Sequence, residues 1–239
     1  MILNYNNFCT ELLKAGFSMG GGSDDSIFSI INWGWNEAAP YETPIAWHTG
    51  NPETDPWEWR IRVLNERDDI AYSKVFFKKS GYITKEWYPY FLAARRGNRH
   101  FNEEYASGKM SHFAKRIYEV VAEAGRLSLD EIKREAGFSR EDKSKFDSAL
   151  TELQMKLYLT MCGSQQKISL KGEEYGWAST VFCTVENFWA GRSPNGELLA
   201  HAAQLNERNA INAINAITKR VLELNPAAQE KKILKFIRG

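Results

Sequence analysis

Apolar and polar residues follow helical spacing most regularly within residues 111–170. Ser111 is suited to cap a helix that Gly125 ends, because a serine hydroxyl accepts from a free helical N–H and glycine tolerates a left-handed backbone. Apolar residues recur along this helix on one face: Phe113, Ile117, Val120, Val121 and Ala124. Ser128 and Glu131 then form a capping box, which predicts the start of a short second helix.

A third, longer helix is predicted after Ser139. Its apolar stripe consists of Phe146, Ala149, Leu150, Leu153 and Leu157. The apolar segments Leu157–Met161 and Gln166–Leu170 flank Gly163-Ser164, which predicts a β-hairpin with its turn at that dipeptide. A long helix, a short helix, a long helix and a hairpin, in this order, are typical of a winged helix-turn-helix module. We therefore predict such a module over residues 109–171, with residues 140–156 as its recognition helix.

The regions on either side carry patterns of both helices and strands. In residues 1–108 the predicted elements are a helix ended near Gly16, a glycine-rich turn (Gly20–Asp25), a buried strand (Ser26–Trp35), a helix capped by Asp55, a strand (Asp69–Phe77) and a helix capped by Thr84. Residues 172–239 contain a helix start near Thr184, one long predicted helix (Glu197–Leu224) and a short basic end. The expected fold class is α+β, mostly helical, with the winged helix between an aromatic-rich N-terminal part and a C-terminal helical part.

The composition is that of an ordinary globular protein, with 43% apolar and 26% charged residues. No apolar run is long enough to cross a bilayer and the N-terminus lacks a leader pattern, so we expect a cytoplasmic protein that does not bind membranes. The three cysteines and four histidines are scattered. This spacing favours neither a disulfide framework nor a metal site, and no cofactor is expected.

The formal net charge is only +1, but the charges are unevenly distributed along the chain. Residues 1–72 contain 4 basic and 11 acidic side chains, whereas residues 73–116 contain 10 basic and 3 acidic ones. Within residues 73–100 the basic side chains alternate with aromatic ones. A basic face of this kind is typical of a surface that binds a polyanion, and duplex DNA is the expected partner. The alternative is a solvated basic face above a core of buried rings.

Candidate contacts to DNA come from two segments of the chain. The basic stretch supplies Lys74, Lys78, Lys79, Arg95, Arg96 and Arg99, and the recognition helix with the predicted hairpin supplies Lys143, Thr151, Gln154, Lys156 and Lys167. The recognition helix is balanced in charge, so it is not a strong indication of sequence-specific reading. A winged helix also occurs as a protein-interaction module, and the long C-terminal helix could then support a homodimer.

Four segments resemble the AlkZ-related proteins. They are Asp55-Pro56-Trp57-Glu58-Trp59-Arg60, Ala71-Tyr72-Ser73-Lys74, Ser111-His112-Phe113-Ala114-Lys115-Arg116-Ile117-Tyr118 and Gly172-Glu173-Glu174-Tyr175-Gly176-Trp177. The resemblance covers about residues 8–189. AlkZ-related proteins are bacterial winged-helix proteins grouped with the YcaQ/AlkZ DNA glycosylases, which remove alkylated or crosslinked bases. The resemblance therefore implies a DNA-binding protein of DNA repair.

The chain departs from the glycosylases at their catalytic motif. Those enzymes use a Gln-x-Gln or Gln-x-Asp triplet to position the attacking water, and this sequence contains neither. DNA binding is therefore the expected activity, and base excision is an alternative. In that alternative, a flipped base would stack on Trp57 or Trp59, with Glu42 or Glu58 as the weak candidates for activating water.

Overall fold

In the computed structural model of the chain, residues 1–22, 27–97, 99–168, 172–193, 196–207 and 210–239 are described. About half of the chain is helical, and the strands form two small antiparallel sheets, so the protein is of the α+β class. The helices are α1 (Tyr5–Ala15), α2 (Pro56–Glu66), α3 (Tyr88–Arg95), α4 (Phe101–Ala106), α5 (His112–Ala124), α6 (Leu129–Glu135), α7 (Lys143–Met155), α8 (Val185–Ala190), α9 (Glu197–Glu207), α10 (Ala210–Leu224) and α11 (Glu230–Arg238). The strands are β1 (Phe17–Met19), β2 (Ile70–Phe76), β3 (Lys79–Thr84), β4 (Arg126–Ser128), β5 (Leu159–Ile168) and β6 (Glu174–Thr184).

The first sheet has the strand order β1-β3-β2 and lies in the N-terminal part of the chain. Helix α1 ends at Gly16, which adopts a left-handed φ of 94° and leads directly into β1. The Thr84 hydroxyl donates to the Gly16 carbonyl over 2.9 Å, which fastens the end of β3 to this corner. The sequence predicts that Thr84 caps a helix, and this prediction is wrong. Helix α3 begins later, at Tyr88, with Pro89 in its first turn, where the missing N–H costs nothing.

The second sheet has the order β4-β6-β5 and packs with α5, α6 and α7. Ser111 caps α5, and Ser128 with Glu131 forms the predicted capping box at α6. Ser139 begins a short 3₁₀ turn (Arg140–Asp142), after which α7 starts at Lys143.

The predicted turn at Gly163-Ser164 is wrong. Strand β5 continues through these residues to Ile168 and pairs with β6, which begins at Glu174, so the hairpin is longer and its connection lies later. Gly163 adopts a φ of 149°, a conformation that glycine tolerates, at a bulge between Met161 and Gly163. The part of the predicted hairpin after Ile168, at residues 169–170, lies outside the described residues.

Two other predicted elements differ from the structure. Residues 27–35 form bends and turns instead of the predicted strand, whose first residue, Ser26, lies outside the described range. The long C-terminal helix is described as two helices, α9 and α10, and residues 208–209 between them lie outside the described range. Helix α10 ends at Leu224, shortly before Pro226, as the sequence predicts.

Buried side chains form two clusters. The larger one combines the first sheet with α1, α2, α3, α10 and α11, so residues from Ile2 to Ile237 contribute to it. At its centre, the Phe236 ring of α11 stacks on Phe76 of β2, with ring centroids 4.0 Å apart and planes 19° apart. The smaller cluster lies between α5, α7 and the second sheet, and Phe146 of α7 is fully buried in it. Helix α7 and strand β5 contact β2 and so join the two clusters.

Among the described residues, none of the helices combines the length and apolar character needed to cross a lipid bilayer. Within the same residues, no three His, Cys, Asp or Glu side chains lie together in a group that could hold a metal ion.

Candidate nucleic-acid interface

Helix α7, the predicted recognition helix, has two halves with different surroundings. In its N-terminal half, Lys143, Ser144, Asp147 and Ser148 are exposed. Its C-terminal half packs against β2, and Gln154 there is only 1% exposed. The N-terminal half is therefore the more accessible one, while Thr151 and Glu152 of the C-terminal half are half-buried.

Gln154 holds α7 against the first sheet. Its Oε1 accepts from the Ser73 hydroxyl over 2.8 Å and from the Lys74 backbone N–H over 3.0 Å. Its Nε2 donates to the Leu150 carbonyl over 3.0 Å. Because both ends of the amide are engaged inside the protein, Gln154 has no free group for the DNA contact that the sequence predicts.

Two arginines of the predicted contact set also bond within the protein. Arg95 donates to the carbonyls of Ile237, Met155 and Phe236 over 2.7, 2.8 and 2.9 Å, and burial lowers the pKa of its guanidinium to about 9. Arg96 is 7% exposed and donates to Glu186 over 2.6 Å. Both side chains serve the packing of α3 against other helices and do not face solvent as phosphate contacts require.

The other predicted basic contacts differ in whether they form ion pairs within the protein. Arg99 is exposed and forms an ion pair with Glu104, and Lys156 forms one with Glu152 over 3.4 Å. Lys167 forms an ion pair with Asp130 over 2.9 Å, which raises the pKa of the Lys167 ammonium. Lys79 is also exposed. Lys74, Lys78 and Lys143 are exposed, and in the described part of the chain they have no ion-pair partner.

An open cavity of about 590 Å³ lies beside α7 and collects several of these side chains. Lys78, Thr151, Lys156 and Arg238 line it, together with the carboxylates of Asp147 and Glu152. The cavity places cations from the β2–β3 turn and from α11 next to the middle and the C-terminal end of α7. The basic stretch and the predicted recognition helix, distant in sequence, thus share one surface.

The β2–β3 turn and the start of β3 place two neighbouring lysines in different cavities. Phe77 and Lys78 have positive φ angles of 51° and 62°, which are typical of the tight two-residue turn that matches the twist of paired strands. Lys78 lines the cavity beside α7, whereas Lys79 lines a second cleft.

This second cleft, which we call the aromatic cleft, has a volume of about 420 Å³. Its lining combines aromatic rings, two cations, one carboxylate and a row of glycines: Trp35, Trp47, His48, Trp57, Tyr72, Arg60, Lys79, Glu37 and Gly20–Gly22 with Gly34. Its size is within the range of about 300–1,000 Å³ that is usual for ligand pockets. The predicted glycine-rich turn, of which Gly20–Gly22 are described, therefore forms one of its walls.

Asp55 holds the aromatic cleft in shape. This fully buried carboxylate accepts four backbone N–H groups, from His48, Thr49, Gly50 and Trp57, at 3.1, 2.8, 2.9 and 2.8 Å. The predicted cap of α2 is thus confirmed, and the same side chain also fixes the loop before α2, where His48 adopts a φ of 60°. A carboxylate that accepts several N–H groups forms strong bonds, so the positions of His48 and Trp57 are tightly linked.

The two tryptophans predicted to stack on bases lie in different environments. Trp57 is 40% exposed and carries the Arg60 guanidinium 3.2 Å above its ring centroid. Trp59 is fully buried, and its Nε1 donates to the Pro52 carbonyl over 3.0 Å, so its ring has no free face for a base.

The predicted catalytic carboxylates, Glu42 and Glu58, are exposed and do not line the aromatic cleft. Glu37 does line it, and Glu37 Oε2 accepts from the Gly34 N–H over 2.5 Å. The sequence gives no signal that distinguishes Glu37 from its neighbours, because the residues of the cleft come from six separate segments of the chain.

The β5–β6 hairpin carries the most exposed aromatic side chain among those described. Trp177 is 89% exposed, and Tyr175 and Ile168 are more than half exposed. These side chains lie beyond the part of the second sheet that packs on α5 and α7, so they are available to a partner.

A model of the AlkZ-related family matches residues 2–238, nearly the whole chain. Searches of curated proteins and of solved structures found no match.

Proposed function

This chain belongs to the AlkZ-related family, and we propose that it is a DNA-repair protein that binds duplex DNA through α7 and the β2–β3 turn. The family supports the connection with DNA repair. The cavity beside α7, which brings exposed lysines from two distant segments to one surface, supports the choice of binding face. A cytoplasmic location is part of this proposal.

We further propose that α5, α6, α7 and the second sheet form a winged helix. The order α5, β4, α6, α7, β5, β6 supports this proposal, since a winged helix places its recognition helix before a two-stranded hairpin. The module would consist of the predicted region 109–171 together with strand β6, which extends to Thr184 in the predicted C-terminal region. The N-terminal region 1–108 and the C-terminal region 172–239 would then flank it.

In the proposed complex, the N-terminal half of α7 enters the major groove. Residues near the start of a recognition helix usually contact base edges, and this half is the more exposed one. Lys143 and Lys78 would contact phosphates beside the groove, with Lys74 and Arg238 at the margin. The exposed Trp177 hairpin would contact the adjacent backbone or groove.

Fluorescence anisotropy of a labelled duplex tests this proposal. We expect binding that weakens steeply as salt increases, because contacts to phosphates release counterions. Lys143→Ala and Lys78→Ala should each weaken binding equally on unrelated sequences and reduce the slope of log K against log salt by about 0.9. Lys14→Ala is the matched control, since Lys14 is an exposed lysine of α1 that lines a different cavity.

Two results would contradict the proposal. The first is no binding to any duplex at low salt. The second is binding that neither Lys143→Ala nor Lys78→Ala weakens more than Lys14→Ala does.

A second candidate function is base excision, which the position of Glu37 at the aromatic cleft favours. A carboxylate beside a base-sized cleft can activate water for attack on a glycosidic bond. Abasic sites should then appear in alkylated duplex DNA, and Glu37→Gln should abolish them, whereas Glu42→Gln and Glu58→Gln should retain them. The absence of abasic sites over a panel of damaged substrates would remove this candidate.

Self-association is the remaining alternative, and two exposed apolar side chains of α10, Ile211 and Leu222, favour it. A dimer that resists high salt in sedimentation, from a protein without DNA affinity, would replace the DNA-binding proposal.

A further inference from the structure

We infer that Cys162 and Cys183 form a redox-modification site, in which a hydroperoxide oxidises the two thiols to a disulfide that joins strands β5 and β6. The inference goes beyond the proposed DNA binding and does not depend on it. The oxidant class is a small hydroperoxide, of which hydrogen peroxide is the simplest, and a thiol reductant reverses the modification.

The first observation is that the fold brings together two cysteines that are distant in the sequence. In the antiparallel β5–β6 pair, Thr160 lies opposite Cys183, and Cys162 follows two positions later as the extra residue of the β5 bulge. Both cysteine side chains pack on the larger buried cluster, which places them on the same side of the second sheet. The two thiols are hydrogen-bonded to each other. A disulfide can form only between thiols in such close contact.

The second observation is that the two thiols differ in their access to solvent. Both are free, and Cys162 is half-buried whereas Cys183 is buried. A small oxidant therefore reaches Cys162 first and finds the second thiol directly behind it. An accessible thiol beside a resolving thiol is the arrangement typical of redox-sensing cysteines.

The third observation is the charge around the pair. Arg126 of β4 lies opposite Cys183 in the sheet. Arg192 is held in place by its donation to the Leu64 carbonyl over 3.1 Å. Both guanidinium groups act on the Cys162 thiol and favour its ionised form.

The hydrogen bond between the thiols assigns them different roles. Donation from the Cys183 thiol lowers the pKa of the Cys162 thiol, and the two arginines lower it further, against the effect of burial. The same hydrogen bond, together with burial, raises the pKa of Cys183, so this thiol keeps its proton. Because the thiolate is the nucleophile, Cys162 attacks the peroxide and Cys183 resolves the product.

A metal site is the other common use of paired thiols. Structural zinc sites use four protein ligands, and catalytic ones use three. Within the described parts of the chain, no group of three His, Cys, Asp or Glu side chains lies together around these thiols. The pair therefore fits oxidation better than metal binding.

The oxidation balances in two steps. The Cys162 thiolate attacks one oxygen of hydrogen peroxide, the O–O bond breaks and a sulfenic acid forms. The hydroxide that leaves takes the proton released by the Cys162 thiol and becomes water. The Cys183 sulfur then attacks the Cys162 sulfur, the S–O bond breaks, and the leaving hydroxide takes the Cys183 proton as a second water. Two electrons pass from the two sulfurs to the peroxide.

The test is a peptide map of the folded, reduced protein after treatment with hydrogen peroxide in slight molar excess. Catalase removes the oxidant, iodoacetamide blocks free thiols during denaturation, and trypsin then cleaves the chain. Peptides 157–167 and 172–192, which contain Cys162 and Cys183, should be joined, with a mass two hydrogen atoms below their sum. The number of blocked thiols should fall from three to one, and dithiothreitol should restore all three.

Three variants test the assigned roles. Cys9→Ala is the matched control, since Cys9 is the remaining free thiol and lies on α1, and it should give the same joined peptides. In Cys183→Ala, oxidation should stop at the sulfenic acid, which dimedone labels at Cys162. In Cys162→Ala, dimedone should not label Cys183, because that buried thiol keeps its proton.

Two results would overturn the inference. The first is wild-type protein whose two peptides remain separate and fully blocked after peroxide treatment. The second is dimedone labelling of Cys183 in preference to Cys162. The wild-type map requires no variant, so a cysteine variant that fails to fold leaves the first result decisive. Since no DNA is present, failure of this test and failure of the proposed DNA binding are separate outcomes.

Discussion

Gln154 offers a direct choice between the role that the sequence predicts and the role that the structure gives it. Gln154→Leu keeps the approximate size of the side chain but removes the acceptor for the Ser73 hydroxyl and the Lys74 N–H. A buried donor left without a partner costs about 1–3 kcal/mol. Two such donors would cost about 2–6 kcal/mol together, and since the Ser73 hydroxyl can rotate towards another acceptor, we expect the lower part of that range, a loss of about 2–4 kcal/mol in the free energy of unfolding.

Urea unfolding followed by tryptophan fluorescence measures this loss, and a thermal scan should show a midpoint lower by roughly 4–16 °C. Thr151→Ala, on the half-exposed face of the same helix, should cost under about 0.5 kcal/mol. The double variant with Ser73→Ala should lose less than the sum of the two single losses, because the two side chains bond to each other. At a temperature where Gln154→Leu is folded, its DNA affinity should equal that of the wild type. Unchanged stability together with a tenfold loss of DNA affinity would refute the structural role.

Three further outcomes are expected. Arg96→Ala should lower the free energy of unfolding by about 3 kcal/mol in urea, because it removes a buried guanidinium that donates to Glu186 and to the Leu157 carbonyl; a loss below about 1 kcal/mol would contradict this. Burial raises the pKa of Tyr158 from 10.0 to about 12, so the folded state favours the neutral phenol. The resulting contribution to the stability of the folded protein, up to about 3 kcal/mol, is present below pH 10 and is lost between pH 10 and 12. Tyr158→Phe should therefore show a shallower loss of stability than the wild type across that window, and parallel curves would count against the assignment. Gly21→Ala should displace Trp47 and lower the free energy of unfolding in urea more than Gly50→Ala does, because Gly50 also has a positive φ but a Cβ added there meets no atom within 4 Å; equal losses would contradict this.

Local chemistry explains which elements were predictable. The caps at Asp55, Ser111 and Ser128 are confirmed, because each depends on a side chain that bonds to a backbone N–H two or three residues away. The α+β class followed from these helices and from apolar strands such as β2. Membership of the AlkZ-related family was likewise evident from short segments of sequence.

The features that were missed depend on distant contacts. Gln154 has the polarity of a surface residue, and only the approach of β2 to α7 turns it into a buried connector. Gly163 has the composition of a turn, and only its pairing with β6 keeps it within a strand. The aromatic cleft joins residues as far apart as Gly20 and Ser80, so no local pattern could indicate that Glu37 and Trp57 line the same cleft.

The position of α11 has a consequence for synthesis of the protein on the ribosome. Phe236 stacks on Phe76 and also contacts Phe17 and Phe91, so the larger core contains a ring that is translated about 160 residues after the strand it covers. A nascent chain that has emerged only as far as α10 exposes these rings to water. The smaller core between α5, α7 and the second sheet needs no residue of α11 and can close earlier. Chaperone binding during translation should therefore concentrate on the N-terminal sheet and end when residues 230–238 leave the exit tunnel.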